Sequence, residues 1–138
     1  MEPTLITLDT SALLPLLSRR DPAHNRMRAA VGGDRGPYLV PAGILAEIGY
    51  LLGRRAGPGA LDVLLDDLVA GALTYDCGDR DLPRVRELVA RYQDLPLGVA
   101  DAAVVACAER NGGRVLALDR DFAVVAKEGT ITVLPEPA

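Results

Sequence analysis

The chain has 138 residues, which predicts a single domain over residues 1–138 with room for a real hydrophobic core. Hydrophobic residues make up 49% and charged residues 25%, a composition that excludes disordered and collagen-like proteins. The net charge is −4, and only one of the 15 Lys and Arg residues is a lysine, so contact with nucleic acid would need a local group of arginines. The absence of Trp and the single Phe argue against a base-stacking surface of the RRM or OB type.

The sequence contains no candidate membrane span. Its longest apolar run, Ala102 to Ala108, is far shorter than the roughly 20 residues that a helix needs to cross a bilayer. Cys77 and Cys107 have neither metal-ligand spacing nor a disulfide framework. We therefore expect a cytoplasmic protein without membrane contact.

Short apolar segments alternate with helical patterns along the chain. The first predicted strand, 5–8, precedes a helix over 12–18 that Ser11 could cap, and a second helix starts at Asp21-Pro22 and carries His24 on its surface. The other predicted strands are 38–40, 72–75, 114–118 and 130–134. A helix after Pro41 ends at Gly57-Pro58, and the helices that follow are 59–69, one from Asp79 or Asp81 to about 92, 98–110 and a short one from Asp121 to Gly129. This alternation predicts an α/β fold, a three-layer α/β/α sandwich around a short, mainly parallel sheet of about five strands.

Two aspartates follow predicted strands directly. Asp9 comes after strand one and Asp119 after strand four. Because parallel strands share their polarity, both side chains should emerge at the same edge of the sheet, where ligands bind in such folds. Taken singly, each could equally be a loop residue or a helix cap.

Two further acids lie on apolar helices. Glu47 is three residues after Ile44 and four before Leu51, so it is predicted to share the buried stripe of its helix. Burial of a carboxylate costs free energy unless the group is paired. Two alternatives to a functional role therefore stay open for Glu47: a structural ion pair with an arginine, or a position at an edge of the stripe that reaches water. Asp101 lies near the start of an otherwise apolar helix, where a surface aspartate favoured by the helix dipole is the alternative.

Four carboxylates in one cleft would repel each other, and some would take up protons near neutral pH. A hard divalent cation such as Mg²⁺, or Mn²⁺, keeps such a group ionised, because it prefers oxygen ligands. His24 is the only histidine, so a zinc site or a catalytic triad is disfavoured.

At these residues the sequence resembles a PIN domain, specifically the short VapC-type ribonuclease toxins of bacterial toxin–antitoxin pairs. The resemblance spans essentially the whole chain, in order and spacing. Four motifs carry it: Leu8-Asp9-Thr10-Ser11-Ala12-Leu13-Leu14, Ala46-Glu47-Ile48, Leu97-Gly98-Val99-Ala100-Asp101-Ala102 and Leu116-Ala117-Leu118-Asp119-Arg120-Asp121-Phe122. One departure is Ala117, which stands where the family usually has Thr.

The resemblance implies a metal-dependent ribonuclease. Asp9 and Asp101 would be the direct metal ligands, with Glu47 and Asp119 supporting them. Ser11 matches the family's small hydroxyl, which hydrogen-bonds a carboxylate or a metal-bound water. A further acid, Asp121, is a possible accessory ligand, with capping of the following helix as its alternative.

RNA near an acidic site needs cations around the rim. The candidates are Arg19, Arg20, Arg54, Arg55 and Arg120, and their alternative role is to balance the negative end of a helix dipole.

Three other functions are compatible with parts of the sequence. A haloacid-dehalogenase-type phosphatase would want a second Asp where Ser11 stands. A non-catalytic PIN-fold binding module and a PIN nuclease that processes RNA without being a toxin remain alternatives. The toxin assignment implies a cognate antitoxin and a homodimer, with an apolar surface that includes Leu13, Leu14, Leu17 and Leu52 as a possible contact, although each could simply pack inside the monomer.

Overall fold

The computed structural model describes residues 5–32, 34 and 36–135, so the two ends of the predicted domain, 1–4 and 136–138, lie outside the described part. The strands are β1 Ile6–Leu8, β2 Tyr38–Pro41, β3 Thr74–Asp76, β4 Arg114–Leu116 and β5 Thr132–Leu134. The helices are α1 Thr10–Leu17, α2 His24–Val31, α3 Ala42–Arg55, α4 Pro58–Ala70, α5 Leu82–Arg91, α6 Val99–Arg110 and α7 Asp121–Val125, followed by a 3₁₀ turn at Ala126–Glu128. Each predicted element is present, and the boundaries shift by a few residues.

All strands run parallel, in the order β3-β2-β1-β4-β5. Successive strand residues point to opposite faces, yet Ile6, Thr7 and Leu8 of the central strand are all at most 2% exposed. Both faces of the sheet are therefore covered by helices, which confirms the predicted α/β class and its three layers. Within the described residues, no helix is long and apolar enough to span a membrane.

The start of α1 differs from the sequence prediction. Asp9, rather than Ser11, is the N-cap, and its carboxylate accepts a hydrogen bond from the Ser11 N–H. His24 is half-buried instead of lying on the surface, with Nδ1 2.7 Å from the Pro15 carbonyl oxygen. Because α1 ends at Leu17, that carbonyl has no partner further along the helix, and His24 satisfies it.

Helices α3 and α6 cross at very short range. A Cβ atom added at Gly43 would lie 2.5 Å from the Cβ of Ala103, so only glycine permits this approach. The buried ridge of α3 is formed by Ile44, Ile48 and Leu52. The crossing brings the N-terminal half of α3 beside the first turns of α6, which carry Asp101.

The leucines proposed above for partner contact pack inside the monomer. Leu13, Leu14 and Leu52 are buried, and Leu17 is half-buried. A surface built from them is therefore unavailable for a partner, because these side chains already fill the core.

Candidate metal centre and nucleic-acid interface

Asp9 lies at the carboxyl end of the central strand and is only 4% exposed. Its Oδ2 atom accepts hydrogen bonds from the backbone N–H of Ser11 at 3.0 Å and from the Ser11 hydroxyl at 2.6 Å. Burial raises the pKa of Asp9 above its ordinary value, although the Ser11 hydrogen bonds oppose this effect and the charge of Asp119 adds to it. The site therefore contains a buried carboxylate whose charged form is disfavoured without a cation.

The Ser11 hydroxyl also fixes the loop that leaves β4. Its oxygen accepts hydrogen bonds from the backbone N–H groups of Leu118 at 2.9 Å and of Asp119 at 3.1 Å. The Oδ1 atom of Asp119 in turn accepts the N–H of Asp121 at 2.9 Å, which closes a tight turn before α7. These bonds hold the loop carrying Asp119 and Asp121 against the start of α1.

Three carboxylates converge at this edge of the sheet. One oxygen from each of Asp101, Asp119 and Asp121 lies within 4.8 Å of the other two. Asp121 is thus a member of the cluster together with Asp119, and not only a residue at the start of α7.

The pKa of Asp101 reflects its burial and the negative charges around it. Its pKa is raised to about 7, first by burial and then by the negative charges of Asp9, Asp119, Glu47 and Asp121, in that order. Its place in the first turn of α6 would by itself favour the ionised form, so burial and repulsion outweigh the helix dipole. Asp101, Asp119 and Asp121 form the cluster itself, whereas Asp9 and Glu47 act on Asp101 as neighbouring charges.

The position of Glu47 corrects one premise of the sequence analysis. Its side chain is exposed, not buried on the apolar stripe. The buried ridge of α3 is narrower than predicted, since it follows the spacing of Ile44, Ile48 and Leu52 and leaves Glu47 on the solvent side. Among the described ion pairs none includes Glu47, so the open alternative of a structural pair with an arginine finds no support.

The donor set suits a hard divalent cation. The clustered side chains offer carboxylate oxygens only, which are the ligands of Mg²⁺ and Mn²⁺. Next to Asp9, the Thr10 hydroxyl is buried and has no hydrogen-bond partner within the described residues. A buried polar atom left unpaired in this way suits an ordered water beside it.

The arginines proposed for RNA contact fall into two groups. Arg19, Arg20, Arg54 and Arg55 line one cleft of about 520 Å³ between the ends of α1 and α3, which we call the arginine cleft. Arg120 lines a separate cleft of about 430 Å³ beside Asp119.

Two residues that the sequence analysis missed belong to these surfaces. Arg26 of α2 lines the cleft beside Asp119. Tyr50 of α3 is 63% exposed, and the Arg54 guanidinium carbon lies 5.7 Å from the centre of its ring. The signal for Tyr50 was its spacing of three residues after Glu47 and four before Arg54, which places the three on one side of the helix.

Comparison with known proteins agrees with this fold. Residues 6–128 match the PIN domain family. Ribonuclease VapC26 of Mycobacterium tuberculosis is 32% identical over 133 residues, which cover 93% of this chain and 98% of that protein. The crystal structure of Mycobacterium tuberculosis VapC20, a toxin that cleaves the sarcin–ricin loop, superposes on this structure with a TM-score of 0.78 at 21% sequence identity. The match covers 87% of this chain and 94% of that chain and shows a similar fold. The chain belongs to the PIN-domain family and is a member of VapC type.

Proposed function

We propose that this protein is a metal-dependent ribonuclease that hydrolyses phosphodiester bonds in RNA, and that it is the toxin of a toxin–antitoxin pair, with residues 1–138 as one PIN domain. The similarity to Ribonuclease VapC26 along nearly its full length supports the activity. The observation that carries the proposal is the convergence of Asp101, Asp119 and Asp121 within 4.8 Å, with Asp9 close enough to raise the pKa of Asp101.

In this proposal Mg²⁺ is the cofactor, and Mn²⁺ can replace it. Asp9 and Asp101 are the direct ligands, and Glu47 and Asp119 support them. Asp121 takes the accessory role, because its carboxylate reaches the same cluster. The bound ion supplies an activated water and offsets negative charge on the phosphate.

The remaining residues of the chain prepare the site before RNA arrives. Ser11 orients the Asp9 carboxylate and holds the Asp119 loop through its three hydrogen bonds. Burial of Asp9 keeps this carboxylate away from bulk water, so its attraction for a cation is less screened. Arg120 and Arg26, beside Asp119, offer positive charge to phosphates near the cut.

The decisive experiment is cleavage of RNA by the purified protein. Total RNA is incubated with Mg²⁺, with Mn²⁺ or with EDTA, and new ends are mapped by sequencing. The expected result is a set of defined ends that requires the metal and is lost in Asp9→Asn and Asp101→Asn. Asp62→Asn, an exposed acid on α4, is the matched control and should cut normally. Cleavage that persists in EDTA, or in Asp101→Asn, would refute the assignment.

The toxin role adds partners and a place of action. We propose a cognate antitoxin, a homodimer and a cytoplasmic location, which the two free cysteines favour. The dimer contact is assigned to an apolar groove of about 510 Å³ on α5 and the start of α6, where Leu82 and Val99 are 67% and 64% exposed. A second copy suits this face, because a two-fold dimer sets the same apolar patch against itself.

A further inference from the structure

One face of α3 joins the acidic cluster to the arginine cleft. Glu47, Tyr50 and Arg54 follow each other at spacings of three and four residues, so they form one exposed ridge. The neighbouring exposed positions, 43, 46 and 53, are Gly, Ala and Gly and leave these side chains uncovered. Seven residues of helix separate Glu47 from Arg54, or about 10 Å along the axis.

The arginine cleft concentrates positive charge in an acidic protein. Its lining includes four arginines and no carboxylate, although the net charge of the chain is −4. Within the described residues these four make no ion pair, whereas the ion-paired arginines lie on α5, α6 and β4. The C-termini of α1 and α3 supply only about half a negative charge each, so most of the positive charge is left for a ligand.

Tyr50 offers a surface for a base beside this charge. Its ring is largely exposed, and Nη1 of Arg54 donates a hydrogen bond to its hydroxyl oxygen at 3.0 Å. This bond and the cation–π contact of the guanidinium with the ring hold both side chains in place. An exposed aromatic ring next to a positive groove is the combination with which proteins bind single-stranded nucleic acid.

We propose that this ridge and the arginine cleft form the track for the single-stranded RNA that flanks the cut site. The phosphates bind Arg19, Arg20, Arg54 and Arg55, one base stacks on Tyr50, and the strand reaches the acids beside Glu47. At about 3.4 Å per nucleotide of a stacked strand, the ridge spans about three nucleotides. This inference rests on the proposed ribonuclease function and names the part of the RNA that the protein holds outside the cut.

Binding without cleavage tests the track. Fluorescence anisotropy of a 5′-fluorescein-labelled 12-nucleotide single-stranded RNA is measured in EDTA, from 50 to 300 mM KCl. Each single-strand phosphate contact contributes about 0.7 to the slope of log K against log salt. The slope of log K against log salt should therefore become shallower by about 1.4 in each of two double variants, Arg19→Ala/Arg20→Ala and Arg54→Ala/Arg55→Ala. Arg28→Ala/Arg80→Ala removes the same charge from exposed positions outside the cleft and should leave the slope unchanged.

Tyr50 is tested through its ring. Tyr50→Ala should weaken binding of the 12-nucleotide RNA by about 5- to 150-fold, the range expected for one stacked base, with an unchanged salt slope. Tyr50→Phe keeps the ring and should bind within about two-fold of the wild type if stacking is the main term. Equal losses in the two variants would overturn the stacking role, because the hydroxyl would then carry the effect.

Several results would overturn the track. One is an absence of measurable binding by the wild type at 50 mM KCl, and another is an equal loss of slope in the control pair and the cleft pairs. A third is a competition result: poly-L-glutamate displaces the labelled RNA as effectively, per charge, as unlabelled RNA does. That result would assign the cleft to an acidic protein. Failure of the ribonuclease proposal would look different, since the wild type would bind RNA with the expected slopes and still leave it uncut in Mn²⁺.

Discussion

The Ser11 hydroxyl donates a hydrogen bond to Oδ2 of Asp9 over 2.6 Å. Its oxygen accepts two more from the N–H groups of Leu118 and Asp119, so its one donor and two acceptor positions are all used. A single side chain thereby connects the N-cap of α1 to the loop after β4. The positions of two proposed ligands, Asp9 and Asp119, are coupled through it.

Ser11→Ala should lower both the rate of cleavage and the free energy of unfolding. The change leaves two backbone N–H groups without their acceptor and Asp9 without one donor, which costs about 1–3 kcal/mol of unfolding free energy in a part-buried setting. The loop that carries Asp119 should shift, so we expect at least a ten-fold loss of kcat in Mn²⁺. Ser11→Thr keeps the hydroxyl and should retain most of the activity. Urea unfolding and RNA cleavage assays on both variants measure the two effects, and full activity of Ser11→Ala would contradict the coupling.

The raised pKa of Asp101 predicts a pH-dependent stability in the absence of metal. The ordinary value is 3.8 and the folded value is about 7, so the folded protein binds more protons than the unfolded chain between these values. Asp101 should therefore reduce stability progressively as the pH rises from 4 to 7, and by a constant amount above 7. Asp101→Asn removes this effect, so its melting temperature in EDTA should exceed that of the wild type by a margin that grows over this range. A margin independent of pH would show that Asp101 is not the titrating group.

Added metal should stabilise the wild type. A ligand that binds only the native state contributes about 2.7 kcal/mol at a hundredfold excess over Kd, so Mn²⁺ and Mg²⁺ should raise the melting temperature. Asp9→Asn should lose most of this gain, because an amide is a poor replacement for a carboxylate ligand of a hard cation. Asn still caps helices well, so the fold of the variant should persist. The prediction fails if Asp9→Asn and the wild type respond equally to Mn²⁺ in a thermal shift assay.

The close crossing of α3 and α6 can be tested with glycine replacements in one helix. Gly43→Ala places a Cβ 2.5 Å from that of Ala103, and such overpacking costs about 1–3 kcal/mol. Gly53→Ala adds a Cβ that meets nothing within 4 Å, so it should stabilise α3 by up to about 1 kcal/mol. Combining Gly43→Ala with Ala103→Gly should restore the lost stability. Chemical denaturation of the wild type, of Gly43→Ala, Gly53→Ala and Ala103→Gly, and of the double variant gives the comparison, and additive effects in the double variant would rule out the contact.

The proposed dimer can be tested on exposed side chains. Leu82→Glu with Val99→Glu puts charges into the apolar groove of α5 and α6 without disturbing the core, since both side chains are mostly exposed. Light scattering after size exclusion should find a dimer for the wild type and a monomer for the variant. A dimer in both proteins would move the interface elsewhere, while circular dichroism checks that the variant is folded.

Some positions in the candidate site could be predicted from the sequence and others could not. Asp9 and Asp119 could be placed at one edge because apolar runs mark where strands end, and the sheet then brings the ends together. The exposure of Glu47 could be predicted only as an open alternative, a stripe edge that reaches water, because helical spacing locates an apolar stripe but not which of its edges the neighbouring helix covers. Here that edge is set by the crossing of α3 and α6, which is a tertiary contact.

The grouping of the four arginines in one cleft could not be predicted from the sequence for a similar reason. Arg19 and Arg54 are distant in sequence, and each resembles an ordinary helix-terminal cation when considered alone. Only the packing of α1 against α3 brings the two pairs to one cleft. Sequence reasoning found the residues but not their grouping.

The length of α3 has a consequence for how substrate could be chosen. An α-helix of 14 residues keeps its length, so the spacing between Glu47 and Arg54 is set before any RNA arrives. In the proposed track, a strand must present a phosphate at Arg54 while its scissile bond lies beside Glu47. The fixed length of α3 would therefore select first for an unpaired RNA segment of sufficient length, rather than for a particular base.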